Sequence, residues 1–175
     1  MKITLFALFA GLLMLGGCTQ ELEFQVTKEL AEGGDAEAQN NLGAMYATGK
    51  GVAQDDQEAA KWFRMSAEQG EAKGQSNLGL MYANGRGVPQ DYKESHAWWS
   101  VAKVNGNEKA EKNLSSVTKE MTKEQIVQAK SISIEISKRI EANRKSENDD
   151  LIRKLNEFLR QDINKEIDIE ALLSL

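Results

Sequence analysis

The sequence lies over itself at an offset of 36 residues: positions 36–71 align with 72–107 without a gap, and 16 of the 36 pairs are identical. Asn41-Leu42-Gly43 matches Asn77-Leu78-Gly79, and Met45-Tyr46-Ala47 matches Met81-Tyr82-Ala83. Gly49-Lys50-Gly51-Val52 falls on Gly85-Arg86-Gly87-Val88, followed in both copies by Gln-Asp, a Glu, a Trp and a closing Gly. The pattern frays outward, with Val26, Leu30 and Gly34 one period before Trp62, Ser66 and Gly70, and Asn113-Leu114 one period after Asn77-Leu78. A unit of this length cannot bury its apolar face alone, so the chain is constrained to stack its copies into one continuous core.

Each unit reads as a pair of helices, which makes the expected fold class all-α. Ala38, Leu42, Met45 and Tyr46 recur at three and four, the spacing of one helix face. Gly43 and Gly79 fall inside that helix at a cost of about 1 kcal/mol each against Ala. The same loss at the same place twice points to a close helix-to-helix approach. Gly49 and Gly85 stop the first helix where a left-handed residue is needed. Asp55 and Asp91 begin the second, with Glu58 and Glu94 three residues on in an Asp version of the capping box. Ala59, Trp62, Phe63 and Ser66, then Ser95, Trp98, Trp99 and Ala102, give the second helices their apolar faces, and Gly70 and Gly106 close them.

The run Asn-Leu-Gly-x-Met-Tyr-x-x-Gly-x-Gly-Val-(Ala/Pro)-Gln-Asp, with the aromatic pair and closing Gly, resembles the Sel-one-like repeat (SLR) family, a relative of the tetratricopeptide repeat. The resemblance implies a tetratricopeptide-like helical-hairpin solenoid over residues 18–120, with full units at about 36–71 and 72–107 and half-units on either side. Residues 121–145 resemble the helix that caps such arrays; Thr122 and Gln125 form a capping box, and Ile126, Ala129, Ser133, Ile136 and Ile140 follow at helical spacing. The polar stretch Asn143–Asp150 is expected to break that helix, with Ser146 capping an amphipathic extension over 146–175. An array of two and a half units is short, so these C-terminal helices are expected to cover its end. The chain departs from the family at His96, Trp99 and Lys103, and its third unit lacks the Gly-x-Gly loop.

The N-terminus reads as an export segment: Lys2 precedes an apolar or small run from Ile3 to Leu15, too short to span a bilayer comfortably. It ends in Leu15-Gly16-Gly17-Cys18, which resembles a bacterial lipobox. That resemblance implies a signal peptide over 1–17 and lipidation of Cys18, and Thr19 after it favours the outer membrane, facing the periplasm. Acyl chains contribute about 0.8 kcal/mol per buried CH₂, so more than one is needed for a durable anchor.

Composition narrows the chemistry. A net charge of −5 provides no concentrated basic surface for nucleic acid. One Cys and one His exclude a disulfide framework and leave too few ligands for a zinc site. His96 has no nucleophile placed beside it by any motif. The Gly-x-Gly loops follow a helix instead of a strand, so they are turns and not phosphate cradles. No cofactor and no catalytic residue are expected.

What remains is surface. In tetratricopeptide relatives the first helices line the concave side, where a peptide or partner helix lies. By position from the Leu-Gly landmark, the inward exposed set is Glu37, Asn40, Ala44 and Thr48, then Lys73, Ser76, Leu80 and Asn84, then Lys109 and Lys112. The resemblance implies a non-catalytic scaffold or adaptor that binds another protein. The alternative it allows is an immunity lipoprotein that neutralises an imported antibacterial toxin. An envelope hydrolase is a minor alternative, whose cysteine-rich relatives carry paired cysteines that this chain lacks.

Overall fold

In a computed structural model of the protein, residues 19–173 are described. All regular structure among them is helical: α1 over 19–32, α2 Ala36–Thr48, α3 Asp56–Glu68, α4 Ala72–Asn84, α5 Tyr92–Val104, α6 Glu108–Thr118 and α7 Lys123–Leu173. The fold is the all-α repeat solenoid expected from the period, and α2, α3, α4 and α5 are each 13 residues long. Cys18 and the segment before it lie outside the described residues. By packing, the chain divides into Met1–Lys138 and Arg139–Leu175.

Local chemistry sets the helix ends. Asp55 Oδ1 accepts from the N–H groups of Gln57 and Glu58, and Asp91 Oδ1 does the same for Lys93 and Glu94. The reciprocal half of the expected box is replaced. The N–H of Asp55 donates to the Tyr46 carbonyl, and that of Asp91 to the Tyr82 carbonyl, both at 3.0 Å. Each cap thus also ties the second helix back to the first. Gly49 (φ 74°) and Gly85 (φ 64°) end the first helices in the left-handed region, which glycine enters without a Cβ penalty. Thr122 and Gln125 form both halves of their box, at 2.8 and 3.2 Å.

The core runs between the two rows of helices. A Cβ on Gly43 would stand 2.7 Å from Phe63 Cδ1, and one on Gly79 would stand 2.8 Å from Trp99 Nε1. That contact is the close approach expected from the repeated glycine, and it leaves Phe63, Trp98 and Trp99 buried with Trp62. The Trp99 indole donates to the Ser76 carbonyl at 2.9 Å, so the ring is fixed in orientation as well as buried.

Residues 143–150 do not break the last helix: α7 is continuous over 51 residues. The physical reason is visible in the composition, since no Gly or Pro occurs after Gly106. Arg, Lys, Glu and Ser tolerate helix interiors, and polarity alone does not end one. Asp150 accepts from Arg153 and, at 2.7 Å, from Lys154, pairs one helical turn apart that hold the stretch in register. Ser146 is therefore a mid-helix residue and caps nothing.

Candidate protein-binding surface

The first helices α2, α4 and α6 are successive neighbours in one row, as the surface reading required. Seven of the expected residues are open to solvent on it: Glu37, Thr48, Lys73, Leu80, Asn84, Lys109 and Lys112. Glu37 and Lys73 meet each other at 3.2 Å while both stay more than half exposed, a contact that contributes about 0–1 kcal/mol. Thr48 Oγ1 donates to the Ala44 carbonyl at 2.7 Å, so its hydroxyl hydrogen is already committed within the helix.

Asn40 and Ser76 depart from the expected exposure. They are 5% and 9% exposed, turned toward the adjoining helices instead of solvent. Asn77 Nδ2 donates to Asn40 Oδ1 at 2.8 Å across the α2–α4 contact, and Ser76 offers its carbonyl to Trp99. Both side chains are short enough for a neighbouring helix to cover. The Leu-Gly landmark gives helical phase, but it cannot tell a rim position from one that faces the next repeat.

Two polar features and one close backbone approach between repeats escaped the sequence reading. Gln39 and Gln75, one period apart, are buried and donate to the Ala31 and Ala67 carbonyls at 3.1 Å. Their own oxygens accept from Gln69 at 2.8 Å and Asn105 at 2.9 Å, also one period apart. In the Gly-x-Gly loops the central residue is basic. Lys50 reaches Glu23 at 2.6 Å, and Arg86 grips Asp56 with two nitrogens at 2.6 and 3.0 Å and donates to the Ala47 carbonyl. The Arg86 guanidinium holds the Asp56 carboxyl below the usual carboxylate range. The second glycine of each loop brings the backbone against the preceding repeat: a Cβ on Gly51 would overlap the Gln20 carbonyl, and one on Gly87 the Asp56 carbonyl. A basic residue at the same loop position in both copies was the available signal.

A second recess lies beyond the row. A cavity of about 680 Å³ is lined by α5, α6 and the start of α7, among them His96, Ser100, Lys119 and Lys130. His96 is 5% exposed. Burial and then the charge of Lys130 push its pKa down, so the neutral ring is favoured. Ser100 Oγ lies 3.3 Å from its Nδ1 and donates to the His96 carbonyl at 2.8 Å. Among the described residues, no group of three or more His, Cys, Asp or Glu side chains could hold a metal ion. No described helix is long and apolar enough to cross a membrane.

The repeats have known counterparts. Residues 36–71 and 72–103 match the Sel1 repeat family model. A protective antigen present in uropathogenic Escherichia coli strains, whose crystal structure displays an SLR fold, superposes with a TM-score of 0.66 at 33% identity, over 71% of this chain and 28% of that one. A Sel1 repeat protein from Oxalobacter formigenes superposes with a TM-score of 0.52 at 36% identity, over 54% of this chain and 39% of that one. No curated protein gives a significant match. The chain thus spans well under half the length of either structural relative. Sel1 repeat proteins are generally protein-interaction scaffolds and are typically non-catalytic. Residues 36–103 thus match two consecutive Sel1 repeats, and the described chain is an all-α repeat solenoid similar to the SLR fold of its structural neighbours.

Proposed function

We propose that the protein is a lipid-anchored scaffold of the bacterial envelope, acylated at Cys18 and facing the periplasm, that binds another protein through the α2–α4–α6 row without catalysis. The observation that carries the binding reading is the row itself. Two Sel1 repeats present polar, mixed-charge residues outward at one-period intervals, while Trp62, Phe63, Trp98 and Trp99 of their second helices are buried in the core. Mixed charge with only one exposed large apolar residue, Leu80, suits a polar protein segment better than a hydrophobic ligand. The anchor and location rest on the lipobox resemblance.

Crosslinking capture from intact cells, comparing wild type with Cys18→Ala and with Lys73→Glu, tests the reading. A defined set of envelope proteins lost from both variants supports an anchored adaptor. A single partner that is toxic when expressed alone in the periplasm supports the immunity role instead, for which an acidic surface facing a basic toxin would speed association. Unchanged capture by Lys73→Glu removes the row as the binding face. Unlabelled Cys18 after feeding an alkyne fatty acid removes the anchor.

A further inference from the structure

The packing that closes one repeat interface is absent from the next. Arg64 donates to Tyr82 Oη at 2.6 Å, and its guanidinium lies 5.7 Å from the centre of that ring, so two large side chains meet between α3 and α4. One period on, those positions are Ser100 and Thr118. Both line the cavity of about 680 Å³. Ser115, another lining residue, stands one period after Gly79, whose neighbour Trp99 fills the earlier space. The recess is what remains when a stacked Arg–Tyr plug is reduced to two hydroxyls.

Its walls are cationic although the chain is acidic. Lys119 and Lys130 border it, and neither has an ion-pair partner among the described residues. Lys103, also at the rim, is taken by Glu111 at 2.7 Å. Leu114 and Ile126 add an apolar surface between the polar groups. His96 supplies a buried side chain whose bonding is restricted. Ser100 Oγ donates to the His96 carbonyl at 2.8 Å and lies 3.3 Å from the ring Nδ1. Protonation of the ring makes both of its nitrogens donors.

We infer that this recess binds an acidic peptide segment of a partner protein, with a carboxylate held by Lys119 and Lys130 beside His96 and an aliphatic side chain on Leu114 and Ile126. The inference rests on the protein-binding reading above and gives the partner's chemistry at one site. The charged groups that line the recess with His96 are Lys103 on its own helix, Glu111 on α6, Lys119 between α6 and α7, and Lys130 on α7. Lys103 and Glu111 offset each other, and burial together with the charge of Lys130 disfavours the imidazolium. A bound carboxylate reverses that balance and raises the His96 pKa. By linkage, binding tightens as pH falls through the His96 value of the complex.

His96 is the chain's only histidine, so its Cε1–H resonance reports the site without ambiguity. The full chain is titrated with an acetylated pentapeptide of alternating glutamate and leucine, with its lysine–leucine counterpart, and with glutarate. We expect the acidic peptide alone to move the resonance at low concentration and to shift the His96 titration upward. Lys119→Ala with Lys130→Ala should weaken binding about tenfold or more. Ser100→Arg with Thr118→Tyr, which restores the plug, should abolish it at unchanged helicity; if that variant fails to fold, the lysine pair decides. Equal response to the lysine–leucine peptide, or no response to any probe, overturns the inference. Glutarate binding as tight as the peptide makes the recess a small-carboxylate pocket and overturns the peptide occupant. Crosslinking through Lys73 reads the α2–α4–α6 row separately, so failure here leaves that row standing, and failure there leaves the recess to be judged alone.

Discussion

The two Gly-x-Gly joints share length, backbone and a basic central residue, yet they are not equal. The first sets Lys50 on Glu23 through one contact, with both side chains about half exposed. The second sets Arg86 on Asp56 through two nitrogens and adds the Ala47 carbonyl, with Asp56 31% exposed. Lysine presents a point charge on a flexible stem, whereas the guanidinium fork fixes a direction. The difference teaches that a near-identical repeat sequence does not imply equal coupling. The joint onto α1 is the weaker.

The largest predicted contrast lies at the second loop glycines. Gly87→Ala forces a methyl at φ 68° into the Asp56 carbonyl between two helices held on both sides, and should cost about 3 kcal/mol from strain and overpacking together. Gly51→Ala meets the Gln20 carbonyl of α1, which can give way, and should cost visibly less. Equal losses in thermal melts would show that α1 is held as firmly as α3.

Next come the buried glutamines. Gln75→Leu removes one of the two donors to the Ala67 carbonyl, which keeps the Gly70 N–H at 3.0 Å, and takes away the acceptor of Asn105, so about 1 kcal/mol should be lost. Gln39→Leu should cost less, because its donor Gln69 keeps a second acceptor in the Gly34 carbonyl at 3.0 Å. Denaturant midpoints at constant slope measure both, and the reverse order would contradict this account of the relay.

Arg86→Lys removes the fork but keeps the charge and should cost about 1 kcal/mol, while Lys50→Ala should stay within about 0.5 kcal/mol. The pH dependence carries the sign. The folded pKa of Asp56 is depressed, so the joint's contribution is full above the ordinary carboxylate range and is lost as pH falls through the folded value. The stability gap between wild type and Arg86→Ala should close in that acidic window, and a gap that persisted below it would remove the ion pair as the cause. The smallest effect on the array is expected from Ser146→Pro. It should lower total helicity through loss of part of α7 without moving the melting of residues 36–118, and a shift of that transition would tie the array to the distal helix.

Much of this was legible in the residues because it repeats. The helix pairs, the Gly43–Phe63 and Gly79–Trp99 approaches, and the Asp55 and Asp91 caps each appear twice at one offset, and coincidence does not do that. The places where reading failed share another cause. Asn40 and Ser76 look like surface residues, and only the position of the neighbouring helix covers them. The stretch Asn143–Asp150 was expected to be a break on polarity alone, although what stops a helix is glycine, proline or a competing cap. The cavity beside His96 was illegible for a further reason: it is made by what Ser100 and Thr118 fail to fill, and an absence has no periodicity.

Many of the hydrogen bonds that join one repeat to the next connect residues 27 to 39 positions apart, from Lys50–Glu23 to Arg86–Ala47, and others, Gln75–Ala67 and Arg64–Tyr82 among them, are shorter. None therefore closes a loop much longer than one period, however many units the chain contains. Loop-closure entropy grows with the logarithm of loop length, so the entropic cost of adding a unit is the same for a tenth repeat as for a third. Such a chain is expected to fold quickly for its size, since its contacts are close in sequence. It can also grow or shrink by whole periods without a new solution to the folding problem, leaving the composition of its exposed row as the variable that changes from one length to another.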